Sequence, residues 1–367
     1  MEVAITGLPQ SGKTTIFNAL TKSKANVAIH ASDKLSPNIG ISKVSDPRLQ
    51  TLAKIFQPKK IIPAEMKYVD IAGATRASGR DEGISGQFLN YLSNADALLQ
   101  VIRVFEDERI PQHINGSIDL KRDAVATDLE LVFSDLTIIE RRLKSLATSL
   151  KGAKSPELEL QLKEQTLLQK IKSGLERDTA IWQQGLSEEE IKNLADYQFL
   201  TAKPMLLLLN LGETQLPQAD SFEAELRSLY PHPQFEITAL CGKLELELSQ
   251  LDNADAEEFR NAMGLTEAAL DRIIRLSYQL LGLISFFTTV SAELKAWTIP
   301  KGTTALKAAG KIHSDIERGF IRAEVVSFND LEKCGSLVEA RKQGLLRLEG
   351  KSYIVQDGDI ITFLFNE

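Results

Sequence analysis

A chain of 367 residues with a formal net charge of −7 is long for one core and too acidic for wholesale capture of a polyanion, so two or three domains with at most local basic faces are expected. Two cysteines, Cys241 and Cys334, exclude a disulfide framework or a self-sufficient zinc site and favour a reducing compartment. No apolar run approaches membrane-spanning length and the chain leads straight into a strand pattern, which gives the expectation of a cytoplasmic protein without a membrane partner.

The first element is a short apolar strand, Val3-Ala4-Ile5, followed at once by Gly7-Leu8-Pro9-Gln10-Ser11-Gly12-Lys13-Thr14. This is the spacing G-x-x-x-x-G-K-[ST] in the context its chemistry needs, strand before and helix after. The glycines let the backbone turn around a phosphate chain so that successive N–H groups and the next helix's amino end face the anion. Lys13 is placed to reach the β- and γ-phosphates and act in catalysis, and the Thr14 hydroxyl to ligate Mg²⁺. The expected phosphate cradle is Gly7, Leu8, Pro9, Gln10, Ser11, Gly12, Lys13, Thr14 and Thr15, with an amphipathic helix continuing through Leu20.

The second apolar strand, Lys67-Tyr68-Val69-Asp70, runs into Asp70-Ile71-Ala72-Gly73, the D-x-x-G form of a γ-phosphate sensor. Asp70 would hold a water on Mg²⁺, and the Gly73 N–H would meet the γ-phosphate. The glycine-rich stretch Ser78 to Gly86 follows, then a third buried-type strand over Ala97 to Ile102. Next, Leu129, Val132, Leu136, Ile139, Leu143, Leu146 and Leu150 recur at alternating spacings of three and four, a heptad seam. Lys151 to Pro156 breaks it, and Leu160, Leu167, Leu168, Ile171 and Leu175 resume an apolar stripe, so an antiparallel helical hairpin is predicted.

Strand and helix alternation returns with Met205 to Leu209 and then Asn210-Leu211-Gly212-Glu213, where many GTPases carry N-K-x-D. The longer Glu213 and the apolar Leu211 alter that guanine clamp, and adenine presents a different edge, so Asn210, Leu211 and Glu213 are candidate base-site residues with adenine favoured. Cys241-Gly242-Lys243, after the strand Ile237 to Leu240, would supply a second loop beside the base through Cys241 and Gly242. From Tyr278 the pattern changes to strands around one helix: Ile284 to Thr289, Ala296 to Ile299, Phe320 to Val326 and Ile360 to Phe365, with a turn at Gln356-Asp357-Gly358-Asp359. The predicted architecture is α/β. A doubly wound, mostly parallel P-loop domain spans 1–128 and 200–277, a helical insertion 129–199, and a small α+β module 278–367.

Several further stretches carry a resemblance: Ser36-Pro37-Asn38-Ile39-Gly40, Asp46-Pro47-Arg48-Leu49, Phe105-Glu106-Asp107, Ala296-Trp297-Thr298-Ile299, Lys301-Gly302-Thr303-Thr304-Ala305 and Ile312 to Val325. With the P-loop, the Asp70 motif and Asn210-x-x-Glu213, they resemble the YchF subfamily of Obg-related P-loop NTPases, the Obg-like ATPases, over essentially the full length. The carboxy-terminal stretch is similar to that family's TGS domain, a ubiquitin-like, β-grasp module. The resemblance implies Mg²⁺-dependent ATP binding and hydrolysis, a helical insertion and association with the ribosome, its large subunit and RNA, by a monomer. It also marks departures. Gln10 stands where the family usually has Asn, Lys34 where a first-switch Thr is usual, and Ala74 where the family has Leu and many GTPases have a water-positioning Gln. His113, in Pro111 to Gly116, matches a family histidine proposed to act in hydrolysis from a mobile loop.

These residues predict a slow ATPase, with two alternatives: a nucleotide-regulated binding module with negligible hydrolysis, towards which Lys34 and Ala74 point, and a GTPase, which Glu213 disfavours. Local charge gives RNA contact a separate basis. Residues 295–323 hold six Lys or Arg against two acidic residues and residues 140–175 eight against four, so each is +4 within an acidic chain.

Overall fold

The computed structural model describes residues 1–23, 37–70, 86–107, 118–150, 156–265, 267–290 and 292–366. They form two compact units, Met1–Gly40 with Lys67–Thr266, and Ile41–Met66 with Glu267–Glu367. The chain opens with β1 (Glu2–Thr6), α1 (Lys13–Thr21) and β2 (Asn38–Lys43), then α2 (Pro47–Phe56), β3 (Lys60–Ile62) and β4 (Glu65–Asp70). It continues with α3 (Gly86–Asn94), β5 (Ala97–Arg103), α4 (Leu120–Ser149), α5 (Glu157–Leu175), α6 (Glu188–Leu194), β6 (Met205–Asn210), α7 (Ala219–Arg227), β7 (Phe235–Leu240), α8 (Gly242–Leu248) and α9 (Asn253–Ala262). The last stretch holds α10 (Ala269–Leu280), β8 (Leu283–Val290), β9 (Glu293–Pro300), α11 (Ala305–Ile312), α12 (Ser314–Arg318), β10 (Phe320–Ser327), α13 (Phe328–Cys334), α14 (Leu337–Lys342), β11 (Arg347–Glu349) and β12 (Asp359–Phe365).

The runs predicted as strands form all but β2 of a six-stranded sheet in the order β2-β4-β1-β5-β6-β7. The pairs β4–β1, β1–β5, β5–β6 and β6–β7 are parallel, and β5 and β6 are buried along their whole length, as strands covered on both faces must be. Parallel order brings the carboxyl ends of β1, β4, β6 and β7 to one edge, where ligands bind in open α/β sheets. The P-loop follows β1, Asp70 ends β4, Asn210 ends β6 and Cys241 follows β7.

The predicted hairpin is present as α4 and α5, which pack together. Helix α4 begins at Leu120, capped by the Asp119 carboxylate, ahead of the seam's first residue. It serves two cores. Leu120, Ala124 and Leu131 join the sheet's core, while Val132, Ile139 and Leu146 pack with Leu168, Ile171 and Leu175 of α5. Leu160 departs from the predicted stripe and is 68% exposed. It lies level with Ser149, which bonds Gln161 at 3.2 Å, beyond Leu146, the last fully buried seam residue of α4.

The second unit is a mixed sheet in the order β11-β10-β12-β8-β9-β3 around a core of Phe286, Ile299, Ala305, Ala309, Phe320, Ala323 and Val325. The predicted turn is there, with Gly358 at φ +87° and the Asp359 N–H donating to Gln356 O at 3.2 Å. In place of one helix among the strands, four occur after β9: α11, α12, α13 and α14. The cause is capping: the hydroxyls of Thr304, Ser327 and Ser336 accept from the N–H groups of Lys307, Asp330 and Glu339, so even short helices begin cleanly. Residues 41–66, kept with the P-loop domain in the sequence reading, group with this unit because β3 pairs with β9 and Arg48 bonds Asp357. Among the described residues, no helix is long and apolar enough to cross a membrane.

Candidate functional site

The loop from Gly7 to Gly12 turns between β1 and α1 through three left-handed positions: Gly7 at φ +135°, Gln10 at +61° and Gly12 at +97°. At both glycines a Cβ would meet neighbours. One at Gly7 would overlap the Val101 carbonyl oxygen, and one at Gly12 the Asn210 amide. Gln10 takes the same backbone region with a full side chain, which is uncommon for a residue other than Gly, Asn or Asp. The Lys13 ammonium folds over the loop and donates to the carbonyls of Gly7 at 3.0 Å and Leu8 at 2.8 Å. Burial pushes this ammonium down to about 8, against the opposing charges of Asp70 and Glu130. Leu8, Pro9, Thr14 and Thr15 are half-buried around it, and Ser11 is buried with its hydroxyl unpaired among the described residues.

Thr14, in the first turn of α1, donates its hydroxyl to Asp70 Oδ2 at 2.8 Å, and the Asn38 amide donates to the same oxygen at 3.3 Å. Asp70 is fully buried, and its Oδ1 has no partner among the described residues. Burial raises this carboxyl above its ordinary range, while Thr14, Asn38 and the Lys13 charge pull it back. A threonine hydroxyl beside a buried carboxylate with one unengaged oxygen suits a hard divalent cation and its water shell, so the residues fit Mg²⁺.

Asn210 is buried and acts as a brace rather than an open loop residue. Its amide donates to Ser11 O at 2.9 Å, and its Oδ1 accepts from Gly242 N at 2.9 Å, tying the P-loop to the loop after β7. Leu211 is buried in the sheet's core, with its N–H bonded to Leu240 O at 2.8 Å, so its side chain supports the loop from within. Cys241 is buried against Leu244 and Leu248. Glu213 is exposed and ion-paired with Lys243 at 3.3 Å. Sequence reasoning gave no role to Asn38 or to the Lys243 pairing; the signal for the latter was a lysine directly after the second base loop. Gly73, Lys34, Ala74 and His113 lie outside the described residues, as does the rest of the D-x-x-G motif after Asp70.

Residues 2–133 match the family MMR_HSR1, described as "50S ribosome-binding GTPase", and residues 283–366 match YchF-GTPase_C, described as "Protein of unknown function (DUF933)". Two curated relatives named "Ribosome-binding ATPase YchF" are similar end to end. The protein from Bacillus subtilis (strain 168) is 37% identical, covering 100% of this chain and 99% of its own. That from Haemophilus influenzae is 38% identical, covering 99% and 98%. Among solved structures, "Structure of the Schizosaccharomyces pombe YchF GTPase" superposes with a TM-score of 0.86 at 30% identity, over 99% of this chain and 97% of that one.

Proposed function

The chain belongs to the YchF family, and from that premise we propose that it is a ribosome-associated P-loop ATPase that hydrolyses ATP slowly with Mg²⁺ and uses its nucleotide state to control binding. The observation that carries this reading is the convergence of Lys13, Thr14 and Asp70 at the sheet's carboxyl edge, with the backbone N–H groups of a glycine loop that turns through three left-handed positions beside them. Catalysis on this reading is mostly positioning and charge neutralisation. Thr14 and Asp70, the latter through water, would hold Mg²⁺, which when bound supplies charge neutralisation at the phosphates. Lys13 sits at the loop that would cradle them, and its depressed proton affinity recovers when a phosphate's negative charge approaches.

Preference for adenine rests on Glu213. Its carboxylate is partly taken up by Lys243, which leaves it less able to accept the two donors of a guanine edge, whereas adenine asks for one acceptor and offers another. Slow turnover rests on Ala74 and Lys34, which lack the groups that position water and close the first switch; His113 is the proposed catalytic helper, and Gly73 the proposed γ-phosphate contact. The partner surface proposed is RNA of the large ribosomal subunit, bound by a monomer in the cytoplasm, through the carboxy-terminal module of TGS type and the helical hairpin. Phosphate release by the purified protein with ATP or GTP, with and without ribosomes, tests the proposal. ATP turnover lost in Lys13→Ala is expected, a clear GTP preference overturns the base assignment, and no turnover under any condition favours the binding module. Glu213→Asp should shift competition binding towards guanine.

A further inference from the structure

Three elements meet at one carboxylate. Asp70 comes from the end of β4, Thr14 from the start of α1, and Asn38 from the start of β2, the strand beside β4. Thr14 Oγ1 and Asn38 Nδ2 both donate to Oδ2, at 2.8 and 3.3 Å. Two donors arriving at one oxygen from different elements fix the rotation of the carboxylate, and they leave Oδ1, buried and unpartnered among the described residues, as the oxygen presented to a cation. The two donors are not equivalent. The Thr14 oxygen is itself a cation ligand candidate, whereas an amide nitrogen has no lone pair to give and serves only to orient its acceptor. Asn38 is half-buried and outside the P-loop, and the sequence reading gave it no role of its own.

We propose that Asn38 is a positioning residue for the divalent cation: its amide holds Asp70 so that Oδ1 faces the water shell of Mg²⁺, and it sets the Mg²⁺ requirement of nucleotide binding without touching nucleotide or metal. The inference rests on the nucleotide reading above. Groups that orient a metal's ligands by hydrogen bonding typically carry about tenfold or more in metal affinity, and Asp70 acting through water places Asn38 at the low end of that range.

The test uses the full chain and a fluorescent ADP analogue, so that turnover does not enter. Nucleotide binding is titrated with Mg²⁺ at fixed nucleotide, and separately in EDTA, for the unaltered protein, Asn38→Ala, the near-isosteric Asn38→Leu, and Lys13→Ala. Both Asn38 variants are expected to raise the half-saturating Mg²⁺ concentration about tenfold while keeping the EDTA affinity within about twofold and the melting temperature unchanged. Lys13→Ala should lose binding in both media. A Mg²⁺ requirement unchanged in both Asn38 variants overturns the inference and leaves the nucleotide reading standing. Equal losses in Mg²⁺ and EDTA, accompanied by a lower melting temperature, also overturn it, because they describe a strand that docks badly rather than a metal that is held badly. Absence of Mg²⁺-dependent binding in the unaltered protein overturns the nucleotide reading and this inference together.

Discussion

Gly12 has no room for any other residue. Its φ of +97° strains an L side chain, and a Cβ would occupy the space of the Asn210 amide that braces Ser11 O. Gly12→Ala is therefore expected to cost at least about 2 kcal/mol in urea denaturation and to weaken nucleotide binding with it. Gln10 is the opposite case, a full side chain held at φ +61° where Asn is more at ease. Gln10→Asn should stabilise the protein by about 0.5 kcal/mol in the same measurement; a loss of stability would mean that the glutamine side chain makes a compensating contact. At this scale the P-loop was legible because its requirements are local: turn, glycine, lysine and hydroxyl lie within eight consecutive residues. Asn210 was found as a loop residue but not as a brace, since its partners Ser11 and Gly242 are distant in sequence. Asn38 had no visible role because its partner lies 32 positions away.

Helix α4 joins the hairpin to the sheet, and two hydrogen-bonded carboxyls secure it, one buried and one half-buried. Asp135 is fully buried and accepts from Leu200 N, Thr201 N and Thr201 Oγ1 at 2.7 to 2.8 Å, fixing the turn that leads into β6. Asp128 accepts from the Tyr230 hydroxyl at 2.6 Å, and burial pushes its carboxyl up to about 6, against that hydrogen bond. The sign follows from proton uptake. Between about pH 4 and 6 the folded chain holds a proton that the unfolded chain has released, so this contribution to stability is full at low pH and is lost as pH rises through about 6. Asp128→Asn keeps an oxygen for Tyr230 and removes the titration. Melting scans across pH should show a flatter profile and a gain at pH 7 of up to about 3 kcal/mol; an unchanged profile would assign the slope elsewhere, Asp135 being the next candidate. Long elements such as this helix and the wholly buried, mostly apolar β5 and β6 were legible because each repeats its signal many times. Strand β3, three residues long, and three of the four short helices after β9 were not, although Ser327 before Asp330 and Ser336 before Glu339 are cap signals that sequence alone displays.

Across the molecule, the two basic segments fare differently. In the hairpin, Arg142 pairs with Glu164, Lys163 with Glu159, Lys170 with Glu190 and Lys172 with Glu140, so most of the described basic side chains there have an acidic partner. In the carboxy-terminal unit, Lys307 pairs with Glu317 and Arg318 with Asp315, while Lys301, Lys311 and Arg322 are exposed. A charge count along the chain could not separate these cases, because the neutralising acids come from the facing helix or the next turn. Replacing Lys301, Lys311 and Arg322 with Ala should weaken ribosome co-sedimentation and reduce the slope of log affinity against log salt by about 2 to 3, with ATP affinity unaltered. An unchanged slope would remove this face from the contact, and the hairpin would be the next surface to test.

Residues 41–66 carry a practical consequence for anyone cutting the gene. They supply an edge strand and a covering helix to a sheet whose other strands are encoded more than two hundred residues later: β3 lies along β9, α2 packs on β9 and α13, and Arg48 sits over the Phe287 ring while bonding Asp46 and Asp357. Leu49, Leu52 and Phe287 are all buried in that arrangement. A fragment spanning only 267–367 strips the Arg48 cover from its Phe287 ring and leaves β9 as an unpaired edge, and it should bind a hydrophobic dye and aggregate. The same fragment with 41–66 fused through a flexible linker should stay monodisperse. Failure of the short fragment to bind ribosomes would then report a missing wall, and only the fused fragment can say whether this unit binds on its own.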